Sequence, residues 1–536
     1  MKIYYLRNRD KQKSLNAEGI DYTPAYIPAL AAYMGITVHE TEEASLDTLC
    51  EDDLLFVGAQ RIEKLPKCNV ILLGGKVGKD VIPQKRVRHI YARYLCGKYR
   101  LPLFADISEP TLVNAETLAY AEVNGRSVPA LVKSGRAYEF CFDLSASVWF
   151  SGDGFEPDPE PQYFCILRTP DKRPLPDGDE AHSFAYNDLL IGEIEKILRR
   201  LGIPALYRLL PNEDGTPPDA MMHFSGDDDC SGEKINTSAA LTMEEFGLPY
   251  HINAMINPSV GFIFNKDTYN FLIAHGCEVA LHTNFCGSPY EAETVELQKK
   301  RFEESFGVHP STNTNHCFIQ GGSNAQRLRW FEAAGIMADN GKLGEFDPSD
   351  INRFGLTGFG FGTSFPRFSL DDPEHENKPF STIEIPINFY EPRLYEEESP
   401  KAPVTDYIDN GVAHGRIIQF FIHPHYICEG GKQREATLRA IRAIKSHISE
   451  RGYDVLLTTT NKITRFWQDR ARAELEYSEN EIKVYSDTPL LVRLPDFPSK
   501  KEVLLDDRNA VISEKTVDGE RAYLIYVPCG SHTVSF

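Results

Sequence analysis

The sequence contains no uninterrupted apolar stretch long enough to cross a bilayer, which takes about 20 residues of helix. Its first residues, MKIYYLRNRDKQK, lack the apolar core of a signal peptide, so we expect none. The 11 cysteines show no CxxC spacing and no pattern typical of disulfide-rich domains. These absences predict a cytoplasmic protein with reduced thiols and no membrane partner.

Basic residues are also in deficit. Lys and Arg number 57 against 78 Asp and Glu, which gives a formal net charge of −21. This charge disfavours binding to nucleic acids and to anionic membrane surfaces. The hydrophobic and charged fractions, 42% and 25%, are ordinary for a globular protein. A length of 536 residues exceeds a single core and predicts several domains, and a homo-oligomer is left open.

Residues 1–165 alternate short apolar strands with helical stretches, which indicates an open α/β domain. From Leu118 the pattern changes to hairpins, with an Asn124-Gly125 turn between two strand-like runs. This part vaguely resembles flavodoxin-like and class I glutamine amidotransferase-like folds. Cys96 stands where a nucleophile would, but no GxCxG motif surrounds it and no HxE follows. We therefore expect a structural or binding role for this domain.

Residues 180–475 repeat a strand–helix rhythm typical of an irregular (β/α) barrel. The predicted strands are Met221–Phe224, Tyr250–Met255, Glu278–His282, Thr312–Cys317, Ile336–Asp339, Ile383–Ile387, Ile417–His423 and Val455–Thr459. Predicted helix starts are Asn265, Ser323 and Ser288-Pro289. A segment rich in Pro, Asp and Glu at 154–179 predicts a linker. Residues 477–536 alternate apolar and polar residues, which predicts a small antiparallel β domain of sandwich type packed on the barrel.

The most informative stretch is FSGDDDCSG, where Asp227, Asp228 and Asp229 follow an apolar run. Adjacent carboxylates repel each other and are costly to desolvate, and a cation would offset that cost. The alternative is a solvated acidic loop. His282, His316 and His423 each end a predicted strand, and barrel active sites lie at these strand ends. One Asp and two His leave an open position, which suits Zn²⁺ or another divalent transition metal.

In motif order the middle part resembles the polysaccharide deacetylase (NodB-homology) family. The family motif T-F-D-D-G aligns with SGDDD at 225–229, which implies Asp227 as catalytic base and Asp228 as metal ligand. A register shifted by one would give Asp228 and Asp229. The motif H-[ST]-x-x-H is matched by His282-Thr283, with Cys286 in place of the second His. The last motif, an apolar strand ending in an acid His, matches IQFFIH and implies His423 as general acid.

The sequence departs from the family where R-x-P is replaced by NTNH, which ends in His316. We favour His316 as the third metal ligand, with Cys286 or the absence of any metal as alternatives. His425 is a second candidate for the acid. Asp339 is either a residue that orients a histidine or an ordinary strand-end aspartate. The loop at 358–363 either lines a sugar site or packs its phenylalanines inward.

The resemblance implies a metal-dependent hydrolase, with Zn²⁺ as the favoured cofactor held by Asp228, His282 and His316. It would cleave a C–N amide or ester bond and remove an N- or O-acetyl group from a carbohydrate. Two alternatives remain open at this point. One is an inactive carbohydrate-binding or scaffold protein, and the other is an amidohydrolase that acts on a small cyclic or linear amide.

Overall fold

The computed structural model describes residues 1–86, 90–153, 158–162, 184–343, 356–357, 359, 362–392, 404–431, 433–478, 480–495 and 502–535. Most of the predicted linker at 154–179 and half of the loop at 358–363 lie outside these residues. The described helices are Arg9–Ala17, Ile27–Met34, Leu144–Asp153, Tyr186–Arg200, Glu233–Glu245, Lys266–Ala274, Ala292–Phe306, Asn324–Ala333, Val404–Ala413, Arg434–Arg451 and Thr460–Arg472. Within the described residues no helix is both long and apolar enough to cross a membrane.

The first sheet combines a parallel half with an antiparallel half. Its strands run in the spatial order His39–Thr41, Ile3–Leu6, Leu54–Val57, Asn69–Leu73, Ala137–Phe140, Arg126–Ser134, Glu116–Val123, Ala92–Cys96 and Tyr99–Leu103. The first five are mutually parallel, and the rest join by antiparallel pairing. The predicted Asn124-Gly125 turn is confirmed, because both residues have positive φ, 49° and 74°, between two paired strands.

The central sheet of parallel strands forms a nearly closed barrel. Its strands run in the order Ile417–Phe421, Ala220–Asp227, Tyr250–Asn257, Cys277–Thr283, Thr312–Asn315, Ala338–Leu343 and Ile383–Ile387. The last of these continues into Phe389–Tyr390, which pairs in parallel with the first strand. Val455–Leu457 also pairs with Ala220–Asp227. The carboxyl ends of these strands therefore meet at one rim of the barrel.

Several predicted boundaries need correction. The strand predicted at 312–317 ends at Asn315, because the chain turns into the short 3-10 helix His316–Phe318. The strand predicted at 417–423 ends at Phe421. The caps Asn265 and Ser323 are confirmed, since each side chain accepts a hydrogen bond from the backbone two to three residues into its helix. The predicted cap at Ser288-Pro289 is wrong, because that helix begins at Ala292.

The C-terminal residues form two antiparallel sheets. One contains Ala205–Leu206, Leu490–Leu494, Glu520–Val527 and Ile512–Val517, and the other contains Glu474–Tyr477, Glu481–Ser486, Gly530–Ser535, Leu504–Leu505 and Arg508–Asn509. The sheet that contains Leu490–Leu494 thus includes Ala205–Leu206, a strand that precedes the barrel strands in the sequence. A single hydrophobic core includes Tyr33, Phe365, Trp467 and Leu491, from all three predicted parts. The domain boundaries 1–165, 180–475 and 477–536 stay a prediction.

Candidate active site

Four strand ends bring polar side chains to one place at the rim of the barrel. Asp227 is the last residue of its strand, and His282 is the penultimate residue of another. His316 and His423 follow their strands directly or by two residues. Two groups of potential metal ligands have their ligand atoms within 4.8 Å of one another: Asp229, His282 and His316, and Asp227, Asp229 and His423. The histidines proposed from the sequence thus lie near one another, and their roles stay a prediction.

The three aspartates do not point the same way. The Asp228 carboxylate is buried and accepts hydrogen bonds from the backbone N–H of Met255 at 2.7 Å and of Cys230 at 3.2 Å. Burial raises the pKa of Asp228 to about 7. Asp228 is not in either group, whereas Asp229 is in both. The strand ends at Asp227 and the backbone turns to positive φ at Asp229, so Asp227 and Asp229 both reach the site, whereas Asp228 Oδ1 faces the neighbouring backbone.

Asp229 is the carboxylate that lies within 4 Å of all three histidines. Its Oδ1 lies 3.5 Å from His282 Nε2 and 3.7 Å from His316 Nε2, and its Oδ2 lies 3.4 Å from His423 Nε2. Burial alone would raise the pKa of Asp229, but His423 and His282 hold it well below its usual range. An ionised carboxylate surrounded by imidazoles is a favourable environment for a shared cation.

His282 is fixed in the tautomer that a metal ligand needs. Its Nδ1 lies 2.7 Å from the carbonyl oxygen of Thr314, so Nδ1 carries the proton. Its Nε2 is fully buried and makes no aligned hydrogen bond, although Asp227 Oδ2 lies 3.2 Å away. Burial alone would lower the pKa of His282, but Asp227 and Asp229 raise it above the ordinary value. Because Nδ1 donates to Thr314, Nε2, which faces the carboxylates of Asp227 and Asp229, is the ring nitrogen that could bind a cation.

Asp227 lies deeper in the site than Asp229. Its Oδ1 accepts a hydrogen bond from the Asn253 side chain at 2.8 Å, and its Oδ2 faces the histidines. Burial raises the pKa of Asp227 above its ordinary value, although His282 and His423 partly counter this. A carboxylate with a raised pKa accepts protons more readily, provided that geometry brings the proton to it.

His423 forms a dyad with Glu391, a residue that sequence reasoning missed. His423 Nδ1 and its backbone N–H both contact Glu391 Oε1, the latter at 3.1 Å. Glu391 is fully buried and follows the strand that closes the barrel. Burial alone would lower the pKa of His423, but Asp229 and Glu391 raise it to about 9. The only sequence signal for Glu391 is an acidic residue directly after the mostly apolar segment 383–390.

The remaining sequence candidates lie at the margin of the site. Cys286 is half-buried near His316. A hydrogen bond from Cys317 lowers the pKa of the Cys286 thiol to about 5, and His316 also lowers it. His425 packs against the His423 ring at 5.2 Å between centroids. Asp339 Oδ2 lies 2.7 Å from the buried Arg327 guanidinium. The Cys96 thiol, outside the site, contacts Glu193, and burial raises its pKa.

Left-handed backbone is concentrated around these side chains. Positive φ occurs at Asp229, Cys230, Cys317, Phe318 and Glu391, with values of 47°, 57°, 52°, 49° and 51°. In a residue other than glycine this conformation costs of order 1–3 kcal/mol. Such strain persists only where the surrounding structure imposes it, and it is typical of functional sites. Its accumulation here supports a function for this rim.

Gly226 lets two strands approach closely enough to bring Asp227 beside His423. A Cβ at residue 226 would lie 1.8 Å from the carbonyl oxygen of Ile422 and 2.5 Å from the Tyr250 hydroxyl. We therefore expect Gly226→Ala to lower the free energy of unfolding by about 1–3 kcal/mol or more, measured by urea denaturation. Gly192→Ala, where nothing lies within 4 Å, is the matched control and should not destabilise the protein. Equal stability of both variants would contradict this account.

Comparisons with known proteins do not establish a family for this chain. No protein-family model and no curated protein matches the sequence. One similar solved structure is a candidate polysaccharide deacetylase from Mycobacterium smegmatis, with 13% identity, coverage of 51% of this chain and 99% of that chain, and a TM-score of 0.33. Another is a candidate polysaccharide deacetylase of O-antigen biosynthesis from Bordetella bronchiseptica, with 15% identity, coverage of 48% and 91%, and a TM-score of 0.25.

A third is a family 4 carbohydrate esterase from Bacillus anthracis, with 9% identity, coverage of 49% and 96%, and a TM-score of 0.24. At such identities and TM-scores, no function is transferred from these proteins to this chain.

Proposed function

We propose that this protein is a metal-dependent hydrolase that removes an acetyl group from a carbohydrate. The observation that carries the proposal is the convergence of Asp229, His282 and His316, flanked by Asp227 on one side and His423 on the other. The carbohydrate class comes from the sequence resemblance to polysaccharide deacetylases. The proposed metal ligands differ from the sequence-based set, because Asp229 takes the role assigned to Asp228.

The three ligands fit a divalent cation in both chemistry and spacing. Ligands about 2.0–2.1 Å from a tetrahedral Zn²⁺ lie about 3.3–3.4 Å from each other. The Asp229 oxygen lies 3.5 Å and 3.7 Å from the two Nε2 atoms, so small side-chain movements suffice. His282 presents Nε2 to Asp229, since its Nδ1 faces the Thr314 carbonyl oxygen, which is consistent with this role. A divalent cation held there would act as a Lewis acid towards the carbonyl oxygen of the acyl group.

Asp227 is the proposed general base. Its Oδ2 faces the histidines, while Asn253 holds the other oxygen in place. It accepts a proton from the water that attacks the acyl carbon, so that a C–O bond forms as the O–H bond breaks. The raised pKa of Asp227 favours this transfer near neutral pH, with burial as the main cause.

His423 is the proposed general acid. Its Nε2 faces the site, and its Nδ1 is held by Glu391. As the bond between the acyl carbon and the leaving nitrogen or oxygen breaks, Nε2 gives its proton to the leaving atom. A cation bound by Asp229 offsets part of that carboxylate's charge, so Glu391 becomes the main partner that keeps His423 protonated. Free acetate and the amine or alcohol are the products.

The direct test is acetate release from N-acetylated chito-oligosaccharides and O-acetylated xylan, with a small acylated amide assayed in parallel. We expect chelation to reduce turnover by at least about 10²-fold and Zn²⁺ or Co²⁺ to restore it, because Lewis-acid assistance is worth several kcal/mol. Hydrolysis of the small amide alone would replace the carbohydrate assignment with an amidohydrolase. Stoichiometric metal without hydrolysis of any substrate would contradict the proposal and favour a binding protein.

A further inference from the structure

A third group of possible ligands adjoins the proposed catalytic cation site. Cys286, His316 and Cys317 have their ligand atoms within 4.8 Å of one another, and all three are half-buried. Cys317 Sγ lies 3.5 Å from His316 Nε2. Two thiols and one imidazole form a soft donor set, unlike the oxygen and two nitrogens of the first group.

The separation between Cys317 and His316 fits a tetrahedral metal with a sulfur ligand, and Cys286 Sγ lies within 4.8 Å of both ligand atoms. A sulfur about 2.3 Å and a nitrogen about 2.0–2.1 Å from Zn²⁺ lie about 3.5–3.6 Å apart. The observed separation of 3.5 Å therefore needs almost no rearrangement. The left-handed backbone at Cys317 and Phe318, with φ of 52° and 49°, turns this segment so that the thiol lies beside His316. Strain of this kind is retained where it positions a functional group.

His316 has a single lone pair to offer. Its Nδ1 lies 3.4 Å from Asn284 Oδ1, and that oxygen also accepts a hydrogen bond from the Cys286 backbone N–H at 3.0 Å. Because Asn284 Oδ1 is an acceptor, His316 carries its proton on Nδ1 and has its lone pair on Nε2. The same Nε2 lies nearest to both Asp229 Oδ1 and Cys317 Sγ, at 3.7 Å and 3.5 Å. One lone pair binds one metal at a time.

From this juxtaposition we infer that Cys286, Cys317 and His316 form a second metal site for a thiophilic cation such as Cu⁺, Zn²⁺ or Cd²⁺. Both sulfurs bind the metal as thiolates, so a thiol proton still present is released to solvent on binding. A cation in this thiolate site takes His316 away from Asp229 and His282. The thiolate site stands independently of the proposed function, whereas its competition with a catalytic cation rests on that function.

Titration of the full-length, reduced protein with Cd²⁺ tests the inference through the near-ultraviolet thiolate-to-metal absorption band. We expect about one thiolate-bound Cd²⁺ per chain, loss of the band in Cys286→Ser/Cys317→Ser, and at least about tenfold weaker binding in His316→Ala. Cys230→Ser is the matched control, because Cys230 is close by but outside the group, and it should keep the band. Cys317→Gly, which relieves the positive φ, provides a second variant should the double variant fail to fold.

His282→Ala distinguishes this inference from the proposed function. This variant breaks the first group of ligands but leaves the thiolate site complete, so the band should remain while metal-dependent hydrolysis is lost. Loss of the band in His282→Ala would overturn the inference, because all the ligands would then belong to one centre. Persistence of the band without both thiols would also overturn it. Peptide mass spectrometry of protein purified under reducing conditions gives a further check. A linked pair of peptides that contain Cys286 and Cys317, two hydrogens lighter than their sum, would also overturn the inference, since the pair would then be a disulfide.

Discussion

Asp229→Asn should lower the affinity of the protein for Zn²⁺ or Co²⁺ by at least about 10²-fold and abolish metal-dependent hydrolysis. Removal of a partner of a metal ligand alone costs about 10–100-fold in affinity, so loss of a charged ligand should cost more. Two groups of possible ligands contain carboxylates among the described residues, one with His282 and His316 and the other with Asp227 and His423. Asp229 is the carboxylate that belongs to both of these groups. Isothermal titration calorimetry and metal analysis of the purified variants provide the measurement.

The matched control is the same substitution one residue earlier. Asp228→Asn should bind the metal within a few-fold of the wild type, because the Asp228 carboxylate is engaged by the backbone of Met255 and Cys230. An asparagine oxygen can accept both of those hydrogen bonds. The opposite pattern, with metal lost in Asp228→Asn and retained in Asp229→Asn, would restore the sequence-based assignment and remove Asp229 from the site.

The contrast between these two aspartates shows that a sequence motif predicts where a site lies but not which side chain enters it. The run of three carboxylates after an apolar strand locates the site, because a buried strand delivers its last residues to the rim of the barrel. Which carboxylate enters the site depends on where the strand pairing stops. Here Asp228 still pairs its backbone N–H with the Asn253 carbonyl at 3.0 Å, and the chain turns to positive φ only at Asp229. No local pattern in the sequence specifies that turn.

The histidines were easier to predict than the residues that support them. His282 and His423 each follow an apolar run, whereas His316 follows the polar segment 311–315 and is placed at the same rim by the repeating strand–helix order. Glu391 reaches His423 only because the strand at 383–390 closes the barrel beside Ile417–Phe421. That pairing joins segments that are distant in sequence. Closure of a barrel is a tertiary event, and a single glutamate after an apolar run does not indicate it.

His423→Ala should lower turnover on an N-acetylated sugar by about 10²–10⁴-fold, because the amine leaving group then departs without a proton donor. Metal content should stay close to the wild-type value, since His423 is not among the proposed ligands. An activated aryl acetate has a leaving group that needs no proton. On that substrate the same variant should lose much less activity, and a purely structural defect would lower both activities equally.

Glu391→Gln tests whether the buried carboxylate positions and charges His423. Burial lowers the pKa of His423, but Asp229 and Glu391 raise it to about 9. A glutamine oxygen can still accept a hydrogen bond from Nδ1 but carries no charge, so the pKa of His423 should fall in the variant. The group is protonated below its pKa, so activity on the N-acetylated sugar should decline at a lower pH in Glu391→Gln than in the wild type. The decrease at neutral pH should be about 10–100-fold. The contrary outcome is an equal loss of activity at every pH, with the alkaline limb of the pH–rate profile unchanged. It would show that Glu391 contributes to packing only and does not set the pKa of His423.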